Sequence, residues 1–188
     1  MERHGCKVIA VSDHAACYYQ RTGLPITLMA DYVTRTGSLA GFSKELLFDP
    51  QQLLTHPCTV LVPAAVERVI DGEIAQQLQC RVLAEAANGP TTPDADLVLQ
   101  QRKDVFVIPD ILCNAGGVIV SYFEWVQDLQ QLFWDREEVM SRLRAVLDGA
   151  YDRVMARSTR DRLYHRTAAM TLGIERVRDA KHTRGLFP

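Results

Sequence analysis

Val105-Phe106-Val107-Ile108-Pro109-Asp110-Ile111-Leu112-Cys113-Asn114-Ala115-Gly116-Gly117-Val118 contains the change of pattern on which the fold turns. The opening β-branched and aromatic run reads as a buried strand over 105–108. An asparagine-bearing loop follows. From Ala115 the apolar residues recur at helical spacing to about Phe133, through Val120-Ser121-Tyr122-Phe123-Glu124-Trp125-Val126-Gln127. Strand, loop and helix in that order form the unit from which parallel sheets with crossover helices are built.

The same alternation recurs upstream. Strands are expected over 7–12 (Lys-Val-Ile-Ala-Val-Ser), 59–65 and 81–85. Thr22-Gly23-Leu24-Pro25 leads into a helix to about Thr36, where Leu28 pairs with Tyr32 and Met29 with Val33, and Gly37 supplies a stop. Asp49-Pro50 and Thr92-Pro93 each place a capping side chain before a proline at the first helical position, and Asp94 and Asp96 add negative charge at the positive end of the second helix. A helix is expected over 67–78, and two long ones over 137–157 and 164–181. The reading is an α/β fold with four parallel strands near 8–11, 60–62, 82–84 and 106–108, followed by C-terminal helices.

Ala86-Ala87-Asn88-Gly89-Pro90-Thr91-Thr92-Pro93 also follows a strand directly. Two asparagine-bearing loops at the carboxyl ends of parallel strands are where an open α/β sheet binds ligand. No Gly-x-Gly-x-x-Gly occurs in the sequence, and Glu2-Arg3-His4-Gly5 reads as the last turn of a helix. The expected sheet is therefore a doubly wound one lacking its first strand and Gly-rich phosphate loop. The expected boundaries are a partial nucleotide-binding domain over 1–134 and a helical segment of the same domain over 135–188.

Composition narrows the functions. The chain has 188 residues, 47% of them hydrophobic, with 21 Lys and Arg against 23 Asp and Glu. Wholesale disorder is excluded, and no basic surplus exists to bind nucleic acid through net charge. The apolar runs fall far short of the roughly 18 residues that a membrane span needs, and the N-terminus shows no secretory signal. Cys6, Cys17, Cys58, Cys80 and Cys113 are scattered without a Cys-x-x-Cys pair. They read as small buried apolar side chains in a reducing cytoplasm, with no disulfide framework and no metal site.

The two loops and the Val-Ser-Tyr-Phe-Glu-Trp segment resemble the C-terminal nucleotide-binding domain of the glutamate dehydrogenase family, over nearly the whole chain from Lys7 to about Gly185. The resemblance implies an NAD(P)-dependent oxidoreductase converting L-glutamate to 2-oxoglutarate and ammonium, homo-oligomeric at full length. Asp13 takes the place of the acidic residue on the adenine ribose, where a carboxylate accepts two hydroxyls and repels a 2′-phosphate, favouring NAD over NADP. Ala64 and Ala65 match small residues lining the dinucleotide. Asn88 and Asn114 match asparagines that bond the nicotinamide and its ribose, an amide offering donor and acceptor without charge. Gly116 and Gly117 leave room for the nicotinamide, Val118 bounds the substrate side chain, and Ser121 offers a hydroxyl to the distal carboxylate.

Each of these residues also has a plainer role. Asp13 fits a strand-end turn, the alanines fit packing, Asn114 fits an N-cap, and a lone serine on a helix is normally just solvated. The family's substrate domain, with its catalytic lysine, proton-transferring aspartate and carboxylate-binding lysines, matches nothing in this sequence. Tyr164-His165-Arg166-Thr167-Ala168-Ala169 resembles the family's final helix, which packs against that domain. No catalytic residue is assigned, and the chain alone is expected to be inactive. In the family's sheet the missing strand lies between the first two present here, so a gap or abnormal pairing is expected beside residues 8–11. The alternatives are a leucine, phenylalanine or valine dehydrogenase, or a non-catalytic remnant or interaction module.

Overall fold

The computed structural model describes residues 1–185. In chain order the elements are a 3₁₀ turn (Glu2–His4), β1 (Ala10–Ser12), β2 (Cys17–Tyr19), α1 (Ile26–Thr36), α2 (Pro50–Leu53), β3 (Cys58–Leu61), α3 (Gly72–Gln77), β4 (Cys80–Ala84), α4 (Pro93–Gln101), β5 (Phe106–Ile108), α5 (Asp110–Cys113), α6 (Gly116–Gln130), α7 (Arg136–Asp161) and α8 (His165–Arg184). The chain divides into two compact units: Met1–Cys58 with Gln77–Gln79, and Thr59–Gln76 with the residues from Cys80 onward.

In the first unit, β1 and β2 form an antiparallel pair in register Ala10↔Tyr19, Val11↔Tyr18 and Ser12↔Cys17. This corrects the expected first parallel strand: only Ala10–Ser12 is strand, and it belongs to a two-stranded sheet of its own. The turn between them explains the change. Asp13 Oδ1 accepts the N–H groups of Ala15 at 2.8 Å and Ala16 at 2.9 Å, folding the chain back at once. Tyr18, Leu24, Met29 and Leu39 form the buried core, with Val11, Ile26, Val33 and Phe42 packed against it. Tyr18 donates its hydroxyl to the Leu39 carbonyl at 2.8 Å, so the buried ring carries no unpaired polar atom. α1 ends at Gly37, whose left-handed φ of 83° suits glycine, and Asp49 caps α2 through the Gln51 N–H at 3.0 Å.

The second unit holds a three-stranded sheet in the order β3-β4-β5, with β4 and β5 parallel in register Val82↔Phe106, Leu83↔Val107 and Ala84↔Ile108. The sheet thus has three of the four expected strands. β3 stops at Leu61, short of the expected residue 65. Pro63 has no N–H for a ladder, and its carbonyl instead accepts the N–H groups of Ala86 at 3.0 Å and Ala87 at 2.9 Å. The helix expected over 67–78 shrinks to α3. Arg68 sits at φ 56°, and the Arg68 and Ile70 N–H groups bond the carbonyls of Gly89 at 2.8 Å and Pro90 at 2.9 Å. The chain therefore runs beside the loop after β4 before Asp71 caps α3 through the Ile74 N–H at 2.8 Å.

Thr92 caps α4 as expected, its hydroxyl meeting the Ala95 N–H at 3.4 Å. α7 and α8 pack on α5 through Leu112, Val154, Ala168 and Ala169, small alanines allowing the helices to approach closely. Arg157 of α7 also makes a bidentate pair with Glu175 of α8, at 3.0 and 2.7 Å. Among the described residues no helix is long and apolar enough to cross a membrane. Cys17 and Cys80 are buried, whereas Cys6 is exposed, contrary to the uniform expectation for the cysteines.

Candidate functional site

Three loops meet at the carboxyl end of the sheet in the second unit. The loop after β3 reaches the loop after β4 through the Pro63 carbonyl and the Ala86 and Ala87 N–H groups. The loop after β4 reaches the loop after β5 through its asparagines: Asn114 Nδ2 donates to Asn88 Oδ1 at 2.6 Å and to the Ala87 carbonyl at 3.3 Å. Gly89 N–H donates to Asp110 Oδ2 at 2.9 Å. The structure thus links the loops that carry Ala64, Ala65, Asn88 and Asn114, expected from sequence as neighbours of one ligand. Ala64, Ala65 and Asn88 are exposed.

Asn114 is the C-cap of α5, not the N-cap of α6, a position that Ala115 occupies. Its side chain is turned towards Asn88. Asn88 Nδ2 and Asn114 Oδ1 make no hydrogen bond to the protein among the described residues. The pair therefore presents one donor and one acceptor, with no charge, beyond its own cross-link.

α6 begins beside this loop with Gly116 and Gly117. Neither has a positive φ, and a Cβ at either would meet no heavy atom within 4 Å. Helical glycine costs up to about 1 kcal/mol relative to alanine, and nothing in the chain's own packing requires it at these positions. What the glycines provide is bare backbone. Val118 is 70% exposed and Ser121 is exposed, one helical turn apart.

Asp13 lies in the first unit, and its carboxylate is largely committed. Besides the Ala15 and Ala16 N–H groups, it accepts the Leu39 N–H at 2.6 Å. Burial acts to raise its pKa, but the bonds from Leu39, Ala15 and Ala16 and the nearby His14 outweigh it, holding the carboxyl below the usual carboxylate range.

The loops of the second unit rest on an ionic cluster that sequence reading did not find. Arg166, in the first turn of α8, donates to both oxygens of Glu85 at 2.6 and 2.8 Å, to Asp96 at 2.9 Å and to Asp110 at 2.9 Å. Glu85 is 0% exposed and also accepts the Thr91 hydroxyl at 2.5 Å and the Asp110 N–H at 2.9 Å. Burial alone would lower the Arg166 pKa, but its bonds to Glu85 and Asp96 drive it well above the ordinary range. Burial acts in the opposite direction on the Tyr164 phenol and pushes it up, reinforced by Asp96 and Glu85. Among the described residues no cluster of His, Cys, Asp and Glu is arranged to hold a metal ion.

The architecture is a Rossmann-like α/β fold with its candidate site on the loops that such sheets use for ligands. The chain belongs to the Glutamate/Leucine/Phenylalanine/Valine dehydrogenase family, whose model matches residues 1–185. It is 41% identical to a glutamate dehydrogenase of Thermotoga maritima over 184 residues, covering 98% of this chain and 44% of the relative. It is 46% identical to glutamate dehydrogenase A2 of Halobacterium salinarum over 190 residues, covering 100% of this chain and 45% of the relative. A crystal structure described as hetero-hexameric glutamate dehydrogenase from Thermus thermophilus in a leucine-bound form matches with a TM-score of 0.89 and 35% identity, over 100% of this chain and 44% of that one. The chain thus spans under half the length of these relatives. Relatives are named for both cofactors, NAD in Staphylococcus aureus and NADP in Halobacterium salinarum.

Proposed function

We propose that this chain is the cofactor-binding part of an NAD(P)-dependent amino acid dehydrogenase that converts L-glutamate to 2-oxoglutarate and ammonium. The observation that carries the reading is the Asn88–Asn114 pair, cross-linked at 2.6 Å on loops after adjacent parallel strands. A carboxamide such as that of nicotinamide has one acceptor and one donor group, and the unused Asn88 Nδ2 and Asn114 Oδ1 complement them. The bare backbone at Gly116 and Gly117 leaves space for a flat ring. When bound, the nicotinamide supplies the acceptor for the substrate hydride.

In this reading Asn88 and Asn114 orient the nicotinamide, Ala64 and Ala65 let the dinucleotide lie close to the backbone, Ser121 bonds the distal carboxylate of the substrate, and Val118 bounds its side chain. In the first unit, Asp13 is assigned to the adenine ribose hydroxyls. Its ionised carboxylate favours NAD over NADP, because a 2′-phosphate would meet a like charge. No residue here is assigned to proton transfer, which needs a base of tuned pKa facing the substrate. Residues 1–134 form the cofactor-binding body and 135–188 its helical extension, within a cytoplasmic homo-oligomer.

The test follows reduced-cofactor absorbance on mixing the 188-residue polypeptide with glutamate and NAD, alongside titrations with NADH and NADPH. The expected result is a flat trace with weak binding that favours NADH. A steady rate abolished by Ser121→Ala would show a complete active site and overturn the assignment of no catalytic residue. Tight NADPH binding would overturn the role given to Asp13. Activity of a longer form on leucine or phenylalanine in preference to glutamate would move the protein to a sister dehydrogenase. Co-purification with an intact family subunit, without turnover, would favour a non-catalytic module.

A further inference from the structure

We propose that Arg166 is a positioning residue, holding the Asn88 and Asn114 loops in the mutual geometry that presents their amides. The inference rests on the cofactor reading above and adds a residue that, among the described residues, makes no hydrogen bond to either asparagine.

Two struts lead from one guanidinium. The first runs from Arg166 to Asp110 Oδ1 at 2.9 Å, and from Asp110 Oδ2 to the N–H of Gly89 at 2.9 Å. Gly89 follows Asn88 directly, so the orientation of the Asp110 carboxylate sets where that loop tip lies. The second runs from Arg166 to both Glu85 oxygens. One of these accepts the Thr91 hydroxyl and closes the 85–91 loop, while the other accepts the Asp110 N–H and anchors the loop that leads to Asn114. Asp96 of α4 fills the remaining edge of the fork at 2.9 Å. A planar guanidinium has donors on three sides in fixed directions, which is what three carboxylates from three elements require. A lysine ammonium is a point charge and holds fewer of them in place. Without the cation, Glu85, Asp96 and Asp110 would repel one another, and Asp110 would leave Gly89.

The experiment compares Arg166→Lys, Arg166→Met and Asp110→Asn with the wild-type 188-residue chain by amide hydrogen exchange, reading Gly89 and Asp110 against amides inside α7. In Arg166→Met, exchange at Gly89 and Asp110 should be faster by about tenfold relative to α7, with Arg166→Lys intermediate. Acceleration shared equally by α7 would mean only general destabilisation and would overturn the proposal, as would unchanged exchange at the two loop amides. If Arg166→Met fails to fold, Asp110→Asn decides by the same local-against-global criterion at Gly89. Cofactor affinity is read separately, with NADH and ADP-ribose as probes. Positioning predicts that Arg166→Lys weakens NADH and spares ADP-ribose, which lacks the nicotinamide, and equal weakening of both would overturn it. A wild-type chain that binds no NADH would count against the cofactor reading, while the exchange result would still decide the role of Arg166.

Discussion

At Asp13 one carboxylate accepts three backbone N–H groups, from Ala15, Ala16 and Leu39, and shapes the turn of a hairpin. The Asn88–Asn114 pair is joined by a single side-chain bond, and its remaining donor and acceptor bond nothing else in the protein among the described residues. Both were candidates for the same ligand, at its two ends. The difference lies in what removal would do. A polar group bound by its own backbone supports the fold whether or not it touches ligand. One with unused donors and acceptors contributes little to the fold and is placed to contribute to binding. Arg166 supports the fold by a different route, through side chains rather than backbone, since three carboxylates depend on it.

The largest effect is therefore expected at Arg166. Arg166→Ala leaves Glu85, which is 0% exposed, as a buried carboxylate without its cation. Removing one partner of a buried ion pair costs about 3–5 kcal/mol, and urea unfolding of the purified chain measures it. A loss near zero would show that Glu85 finds another partner or reaches solvent, and the cluster would not support the loops.

Asp13→Ala should cost about 1.5–3 kcal/mol, the range for hydrogen bonds to a charged group. Its pH dependence separates charge from shape. The folded pKa lies below the ordinary value, so the stabilisation is fully present above the ordinary carboxylate range and is lost as pH falls through the folded pKa. Urea midpoints of wild type and Asp13→Asn should therefore differ near neutrality and converge in acid. A difference that persists in acid would assign the effect to shape.

These contrasts also mark what the sequence makes legible. The apolar runs at Val82-Leu83-Ala84 and Phe106-Val107-Ile108 become β4 and β5, and Asp49 and Thr92 cap the helices that follow them. All of these are signals contained within a few residues. β2 gives no such signal, because Cys17-Tyr18-Tyr19 is too short to show a period. Residues 67–71 fall within the helix expected over 67–78, yet the N–H groups of Arg68 and Ile70 find the carbonyls of Gly89 and Pro90. Asn114 looks like a cap because an asparagine precedes a helix, while its amide is taken by Asn88, 26 residues away. Arg166 is least legible of all, separated by 81 residues from Glu85 and by 70 from Asp96. Its partners are brought to it only by the packing of α8, through Ala168 and Ala169, onto α5 and α7.

A smaller effect is expected in the first unit's core. Tyr18→Phe keeps the buried ring and removes only the hydroxyl that bonds the Leu39 carbonyl at 2.8 Å. The cost should be about 1 kcal/mol, for one lost bond and one carbonyl left to find another partner. Thermal or urea unfolding will read it. A loss as large as that from Asp13→Ala would mean that the hairpin and the Leu39 segment depend on Tyr18 as much as on the carboxylate.

The smallest effect on stability should come from Asn88→Ala, and it tests the comparison most sharply. Asn88 is exposed, its Oδ1 accepts one bond, and its Nδ2 donates to nothing in the protein among the described residues. Truncation frees Asn114 Nδ2, but that nitrogen keeps the Ala87 carbonyl at 3.3 Å and can meet water. Exposed substitutions of this kind usually change stability by no more than about 0.5 kcal/mol. Loss of the unused donor should nevertheless weaken NADH binding while sparing ADP-ribose, because only the first carries the carboxamide that Asn88 is assigned to hold. Unfolding and titration on one sample of Asn88→Ala therefore separate the two kinds of polar group. If stability falls by several kcal/mol and the ratio of the two affinities stays constant, Asn88 is a structural loop residue like Asp13, and the nicotinamide contact must be sought elsewhere in the chain.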